Sequence, residues 1–166
     1  SFIKLNNLCV EINMNFDIKK FSREMLKDLG ERLDWDEYHM AHAVLTGSRS
    51  NCERLHVGCV IVKDQRLVSA GYNGFLPKAP HESCVRHGHE QATVHAEQNA
   101  IAYCAKVGAS ANEATAYVTH RPCVNCAKIL AAAGISKIIY LEDYGSDKDI
   151  VEKILSNSNI PLIKLH

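Results

Sequence analysis

From residue 95 to the C-terminus, segments of helical period alternate with segments of strand period, and that rhythm restricts the chain to very few folds. Helix-like stretches at 95–107, 123–133 and 147–156 alternate with strand-like stretches at 114–119, 137–142 and 160–165. Strand, helix and strand in that order imply parallel pairing through right-handed crossovers. Gly108 and Gly134 stand where the first two helices must end, a position that favours glycine. Upstream, His56–Val62 and Leu67–Tyr72 read as two strands joined by the polar turn Lys63-Asp64-Gln65-Arg66. The expected fold is α/β: a three-layer α/β/α sandwich around a five-stranded mixed sheet, with the hairpin as its antiparallel part.

Two further helices are expected before the hairpin. Residues 15–31 carry Phe16, Ile18, Phe21, Met25, Leu26 and Leu29 at helical spacing, with Gly30 as the stop. Asp34 caps a second helix from Trp35 to about Leu45. We therefore divide the chain at residue 33. Residues 1–33 form an extension, packed on the main domain or used as an oligomer contact, and 34–166 form that domain. The polar segment from Asn73 to Thr93 has Pro77, Pro80 and three histidines, and loops of that length tend to be functional.

Lys plus Arg and Asp plus Glu are 19 each, so no global positive field invites a nucleic acid. No apolar run approaches the ~20 residues of a membrane span. The opening stretch, with Lys4, Asn6, Asn7 and Glu11, does not read as a signal peptide, and a first residue of Ser points to a processed or recombinant start. The expected compartment is the cytoplasm. Seven cysteines without a secretion signal argue for thiols and metal rather than disulfides. Cys59, inside Val57-Gly58-Cys59-Val60-Ile61-Val62, and Cys104, on a helix face with Ala100 and Ile101, read as core.

The chemistry gathers in His95-Ala96-Glu97 and Pro122-Cys123-Val124-Asn125-Cys126, each opening an expected helix. Cysteines three apart on a helix share a face and can hold one ion together. Pro122 suits the first helical position, and the positive end of the helix favours the thiolates that zinc requires. With His95 there are three protein ligands, which leaves the fourth position of a catalytic zinc open to water. Glu97, two residues beyond the histidine, is placed to carry protons without binding metal. Cys52, Cys84, His87 and His89, with Glu90 beside them, form a second soft-ligand group suited to a closed structural zinc.

Together the motifs match the pattern of zinc-dependent nucleobase deaminases. From Trp35 onward the sequence resembles the deoxycytidylate (dCMP) deaminases of the cytidine-deaminase superfamily. The matching segments are Trp35-Asp36-Glu37-Tyr38-His39-Met40, Val57–Val62, Gly71-Tyr72-Asn73-Gly74, Thr93–Ile101 and Tyr117–Cys123. The resemblance implies hydrolysis of dCMP to dUMP for thymidylate synthesis by a homo-oligomer, often a hexamer, activated by dCTP and inhibited by dTTP. It places Gly71, Tyr72, Asn73 and Gly74 at an effector pocket and gives Asn73 a sugar contact. Asn73 beside Gly74 also suits a turn of positive φ. The second metal group recurs among family members, which place a cysteine where Glu90 stands here.

A monophosphate needs cationic donors, and Arg49, Arg54 and Arg121 are those nearest the motifs. His120 and Arg121, just before Pro122, are expected to line the pocket mouth. Two other readings compete. A tRNA adenosine deaminase shares the zinc chemistry but needs a basic docking face, which the balanced charge does not offer. A catalytically silent zinc or nucleotide-binding module has no use for Glu97.

Overall fold

The computed structural model describes residues 2–5, 8–11, 16–52, 54–87 and 89–166. It divides into two compact units, Ser1–Leu33 and Asp34–His166. In the first, β1 (Phe2–Leu5) pairs antiparallel with β2 (Leu8–Glu11), a hairpin that our reading of the sequence did not anticipate. α1 (Ile18–Leu29) starts where the Asp17 carboxylate accepts from the Lys20 N–H at 2.9 Å, and Gly30 follows it at φ 59°. It is shorter at both ends than the expected 15–31.

In the second unit, α2 (Trp35–Gly47) opens on a capping box. Asp34 accepts from the Glu37 N–H at 2.8 Å, and Glu37 accepts from the Asp34 N–H at 2.9 Å, so two otherwise unpaired donors are satisfied together. β3 (Gly58–Lys63) and β4 (Arg66–Tyr72) form the expected hairpin. Its turn residues Asp64 and Gln65 both take positive φ, the geometry of a two-residue connection that matches strand twist. The polar segment expected as a loop contains short strands. β5 (Gly74–Phe75) pairs with β8 (Thr93–Val94), and β6 (Val85–Arg86) with β7 (His89–Glu90).

The remainder alternates as its periodicity requires: α3 (Ala96–Val107), β9 (Thr115–His120), α4 (Val124–Ala132), β10 (Lys137–Glu142), α5 (Lys148–Asn157) and β11 (Leu162–Lys164). The five-stranded sheet has the order β11-β10-β9-β3-β4. β9, β10 and β11 are parallel, while β3 is antiparallel to both β9 and β4. Successive strand residues face opposite sides. Cys59, Ile61, Val118 and Ile138 pack with Ala100, Leu130 and Leu155 of α3, α4 and α5 on one face. Val60, Val62, Tyr117 and Ile139 pack with Met40 and Ala43 of α2 on the other. This is the mixed α/β/α sandwich read from the sequence. No helix among the described residues is long and apolar enough to cross a membrane.

Two glycines let helices touch strand backbone directly. A Cβ on Gly58 would lie 1.9 Å from the Ala43 carbonyl oxygen of α2. A Cβ on Gly71 would lie 2.4 Å from the Ala96 oxygen and 2.5 Å from the Ala100 nitrogen, so the first turn of α3 rests on β4 itself. Ser69 reinforces that contact by donating its hydroxyl to the Ala100 oxygen at 2.7 Å. Gly71→Ala is therefore expected to lower unfolding stability by ~1–3 kcal/mol, the usual cost of forcing a methyl into close-packed backbone. Denaturant titration checks this, and an unchanged midpoint would contradict the close approach.

Candidate metal centre and active site

Sheet topology brings two helix N-termini to one place. β9 of the main sheet leads into α4, while α3 follows β8 of the separate β5–β8 pair and rests on β4, and the residues heading the two helices come together. His95 is the N-cap of α3 with extended backbone (φ −69°, ψ 154°), and its N–H is held by Gln98 Oε1 at 3.2 Å. Cys123 is the N-cap of α4 (φ −71°, ψ 168°), and Cys126 lies in that helix's first turn. This corrects the expected place of Pro122. The extended backbone of Cys123 delays the helix start to Val124, so Pro122 precedes the cap and is buried there.

His95 Nδ1 lies 3.7 Å from Cys123 Sγ and 3.4 Å from Cys126 Sγ. Tetrahedral zinc with Zn–S of about 2.3 Å and Zn–N of about 2.0–2.1 Å separates such atoms by about 3.6 Å. The triad thus already has the spacing of a zinc site, and it is the one such group of three or more among the described residues. The Cys126 thiol, donating to Cys123, and then His95 hold Cys123 down at about 3, well below the usual thiol range. Sharing that same hydrogen bond, with burial, holds Cys126 high. The shared hydrogen bond thus favours the thiolate on Cys123, and Cys126 must lose its proton before both sulfurs can hold a cation. The hydrogen bond that the His95 ring donates to Cys123 raises the histidine above its ordinary value, against the effect of burial.

Glu97, at the second position of α3, is buried and outside the donor triad. Burial raises its carboxyl above the usual carboxylate range. It lines a cleft of about 450 Å³ that also exposes His95 and Cys123. A cleft of this size is in the range of small-molecule sites.

The other expected site residues are placed unevenly. Arg54 is exposed on the cleft wall, whereas Arg49 is exposed and does not line the cleft. Arg121 lines the cleft but is buried. Its Nη2 donates to the Gly145 oxygen at 2.9 Å, and its Nε lies 3.9 Å from Asp143. It braces the loop after β10. Asn73 lines the cleft and has no positive φ. Its side chain accepts from the Val57 N–H and donates to the Leu55 oxygen, both at 2.8 Å, fastening the segment that enters β3. Gly71, Tyr72 and Gly74 are not among the cleft's lining residues.

Cys52 lines the cleft, Cys84 and His87 are exposed, and these three form no metal group among the described residues. Of His89 only the backbone is described. The Glu90 carboxylate is engaged by the Ser83 hydroxyl and by the N–H groups of Cys84 and Ala92, at 2.9 and 2.8 Å for the latter two. The sequence reading missed Tyr144, Ser146 and Asp147, which form a cleft wall just after β10. Their position at the C-terminal end of a central strand was the available signal.

Residues 33–142 match the family model of the cytidine and deoxycytidylate deaminase zinc-binding region. The chain belongs to this family. It is 44% identical over 118 residues to ComE operon protein 2 of Bacillus subtilis, covering 69% of this chain and 62% of that protein. It is 32% identical over 166 residues to the deoxycytidylate deaminase of Saccharomyces cerevisiae, covering 94% of this chain and 51% of that enzyme. The chain thus spans between half and two-thirds of these two relatives. The crystal structure of cyanophage S-TIM5 dCMP deaminase in complex with dCMP and dUMP superposes with a TM-score of 0.71 at 30% identity. That match covers 81% of this chain and 99% of the other.

A deaminase-family zinc domain of this geometry should couple metal to stability. Occupancy at a hundred times the dissociation constant adds about 2.7 kcal/mol. Chelation is expected to lower the melting temperature, and Cys126→Ser to remove zinc from this centre and with it this centre's share of that response. Melting curves with metal analysis check both. A chelator-insensitive melt of zinc-loaded wild type would refute the coupling.

Proposed function

We propose that the chain is a zinc-dependent hydrolase converting dCMP to dUMP and ammonia. The observation that carries this reading is Glu97, a buried carboxyl sharing the triad's cleft without belonging to the donor set. A purely structural zinc site gives such a group nothing to do. The dCMP and dUMP bound by the S-TIM5 enzyme support a pyrimidine nucleotide as substrate.

Zinc held by His95, Cys123 and Cys126 supplies a water whose pKa is lowered to about 7. Glu97 takes a proton from the attacking water and delivers it to the ring nitrogen beside the carbon under attack. As the new C–O bond becomes a carbonyl, Glu97 passes the second proton to the amino group, and the C–N bond breaks. One proton of the water stays on the ring and the other leaves with ammonia. The burial that raises the Glu97 carboxyl suits a group that must both accept and release a proton. Arg54 offers an exposed cation to the phosphate, and Arg121 braces the Gly145 segment of the cleft wall.

Glu97→Gln is expected to lower turnover of dCMP by ~10²–10⁴ while leaving the zinc content of the wild type. Ammonia release from dCMP, cytidine, deoxycytidine, dCTP and a tRNA anticodon stem-loop identifies the substrate. Loss of zinc along with activity would overturn the role given to Glu97. We include a second zinc on Cys52, Cys84 and His87 or His89 in the proposal. Metal content near two per wild-type chain, falling to one in Cys52→Ser, supports it, and one in both removes it.

The family resemblance also supports a regulated homo-oligomer, a hexamer, working in the cytoplasm to feed thymidylate synthesis. An effector can shift an equilibrium only by its preference for one state. dCTP is expected to make dCMP saturation less sigmoidal and dTTP more so. Tyr72→Ala is expected to lose both responses with basal activity kept. Hyperbolic wild-type kinetics indifferent to both triphosphates would refute the regulation.

A further inference from the structure

His120 ends β9 and lines the cleft, three residues before the first zinc-binding cysteine. Its Nδ1 lies 2.9 Å from the hydroxyl oxygen of Thr119, a buried residue. That oxygen already accepts from the Gly58 N–H at 3.1 Å. Among the described residues the hydroxyl proton has one acceptor, His120 Nδ1, and a buried hydroxyl is satisfied only if it donates there. The bond then runs Gly58 N–H to Thr119 to His120. Nδ1 is an acceptor and carries no hydrogen, so the neutral ring carries its hydrogen on Nε2.

Nε2 lies across the ring from Thr119. It has no hydrogen-bond partner among the described residues and is not among the side-chain nitrogens sealed from solvent. Tyr144, another residue of the cleft wall, meets the ring edge-on with centroids 6.2 Å apart, which limits its rotation. The accessible N–H of a ring so held is a fixed donor at the cleft surface.

We propose that Thr119 is a positioning residue that locks His120 in the Nε2–H tautomer, and that His120 thereby presents a neutral hydrogen-bond donor to an oxygen of the bound nucleotide. This rests on the cleft being the nucleotide site. A pyrimidine nucleotide offers acceptor oxygens on its phosphate, its sugar and its base, and it meets this donor without any rearrangement of the ring. The arrangement is anchored through the Gly58 amide on β3, the strand that α2 touches backbone to backbone.

The test has a spectroscopic and a kinetic arm on the zinc-loaded protein. Long-range 1H–15N correlation of ¹⁵N-histidine-labelled protein at pH 8, with His120 assigned by its loss in His120→Gln, reads the tautomer without reference to activity. Wild type and Thr119→Ser are expected to show the Nε2–H form, and Thr119→Val to lose that preference. A wild-type ring protonated on Nδ1 overturns the proposal, even if the enzyme deaminates dCMP. Kinetically, His120→Ala is expected to raise KM for dCMP at least about 5-fold with kcat little changed, as for loss of one hydrogen bond. His120→Gln, which returns an amide N–H near the Nε2 position, should recover most of that loss. A rise confined to dCMP assigns the acceptor to phosphate, and an equal rise with deoxycytidine assigns it to sugar or base. Unchanged KM in His120→Ala, or a fall in kcat alone, overturns the donor role. Failure of wild type to deaminate any nucleotide would sink the proposed function and leave the tautomer measurement to decide the lock.

Discussion

Two helix N-termini must meet at one point, and the rest of the domain is arranged around that demand. Each brings unpaired N–H groups and the positive end of a helix, which is why thiolates and an acidic side chain can be concentrated there. The spacing is set by backbone contact rather than by side-chain filling. With no Cβ at Gly71, the first turn of α3 seats on β4, and Ser69 bonds the same turn. Because His95 and Glu97 lie in or beside that turn, a shift of β4 against α3 would move a member of the metal-binding triad and the buried carboxyl together.

Side-chain polarity does related work around the cleft. Asn73 uses its amide on the backbone of Leu55 and Val57, while Ser50 donates to the Asn73 oxygen at 2.8 Å. Arg121 ties the Gly145 carbonyl from a buried position. These groups hold irregular backbone where no strand pairing is available, and each meets the need of a buried carbonyl or N–H for a partner.

Much of this was legible in the sequence because the sheet is buried on both faces and the helices on one. That contrast produces clear periods, as in Val57–Val62 and in the alternation after residue 95. The cysteines of the triad were legible because i, i+3 spacing is a local property. Whatever depends on distant partners was not. Asn73 read as a turn residue, and its bonds to the segment entering β3 went unseen, because those partners lie 16 and 18 positions away. Pro122 read as the first helical residue because proline favours that position, but the extended backbone of Cys123 moved the start to Val124. The Tyr144–Asp147 wall has the composition of any polar connection, and only its place after a central strand marks it.

The antiparallel join between β3 and β9 has a consequence for how the domain comes together. Its partners, such as Cys59 and Val118, are far apart in sequence, whereas the β3–β4 hairpin and the β9-α4-β10-α5-β11 run form from near neighbours. Contacts between distant segments carry the largest loop-closure cost and limit folding speed. His95 reaches the site from the half that α3 shares with β4, and Cys123 and Cys126 from the half that begins at β9. The three donors therefore straddle the join with the largest sequence separation in the main sheet. An ion held by them would act as a rivet between the β3-β4-α3 part of the domain and the part that begins at β9.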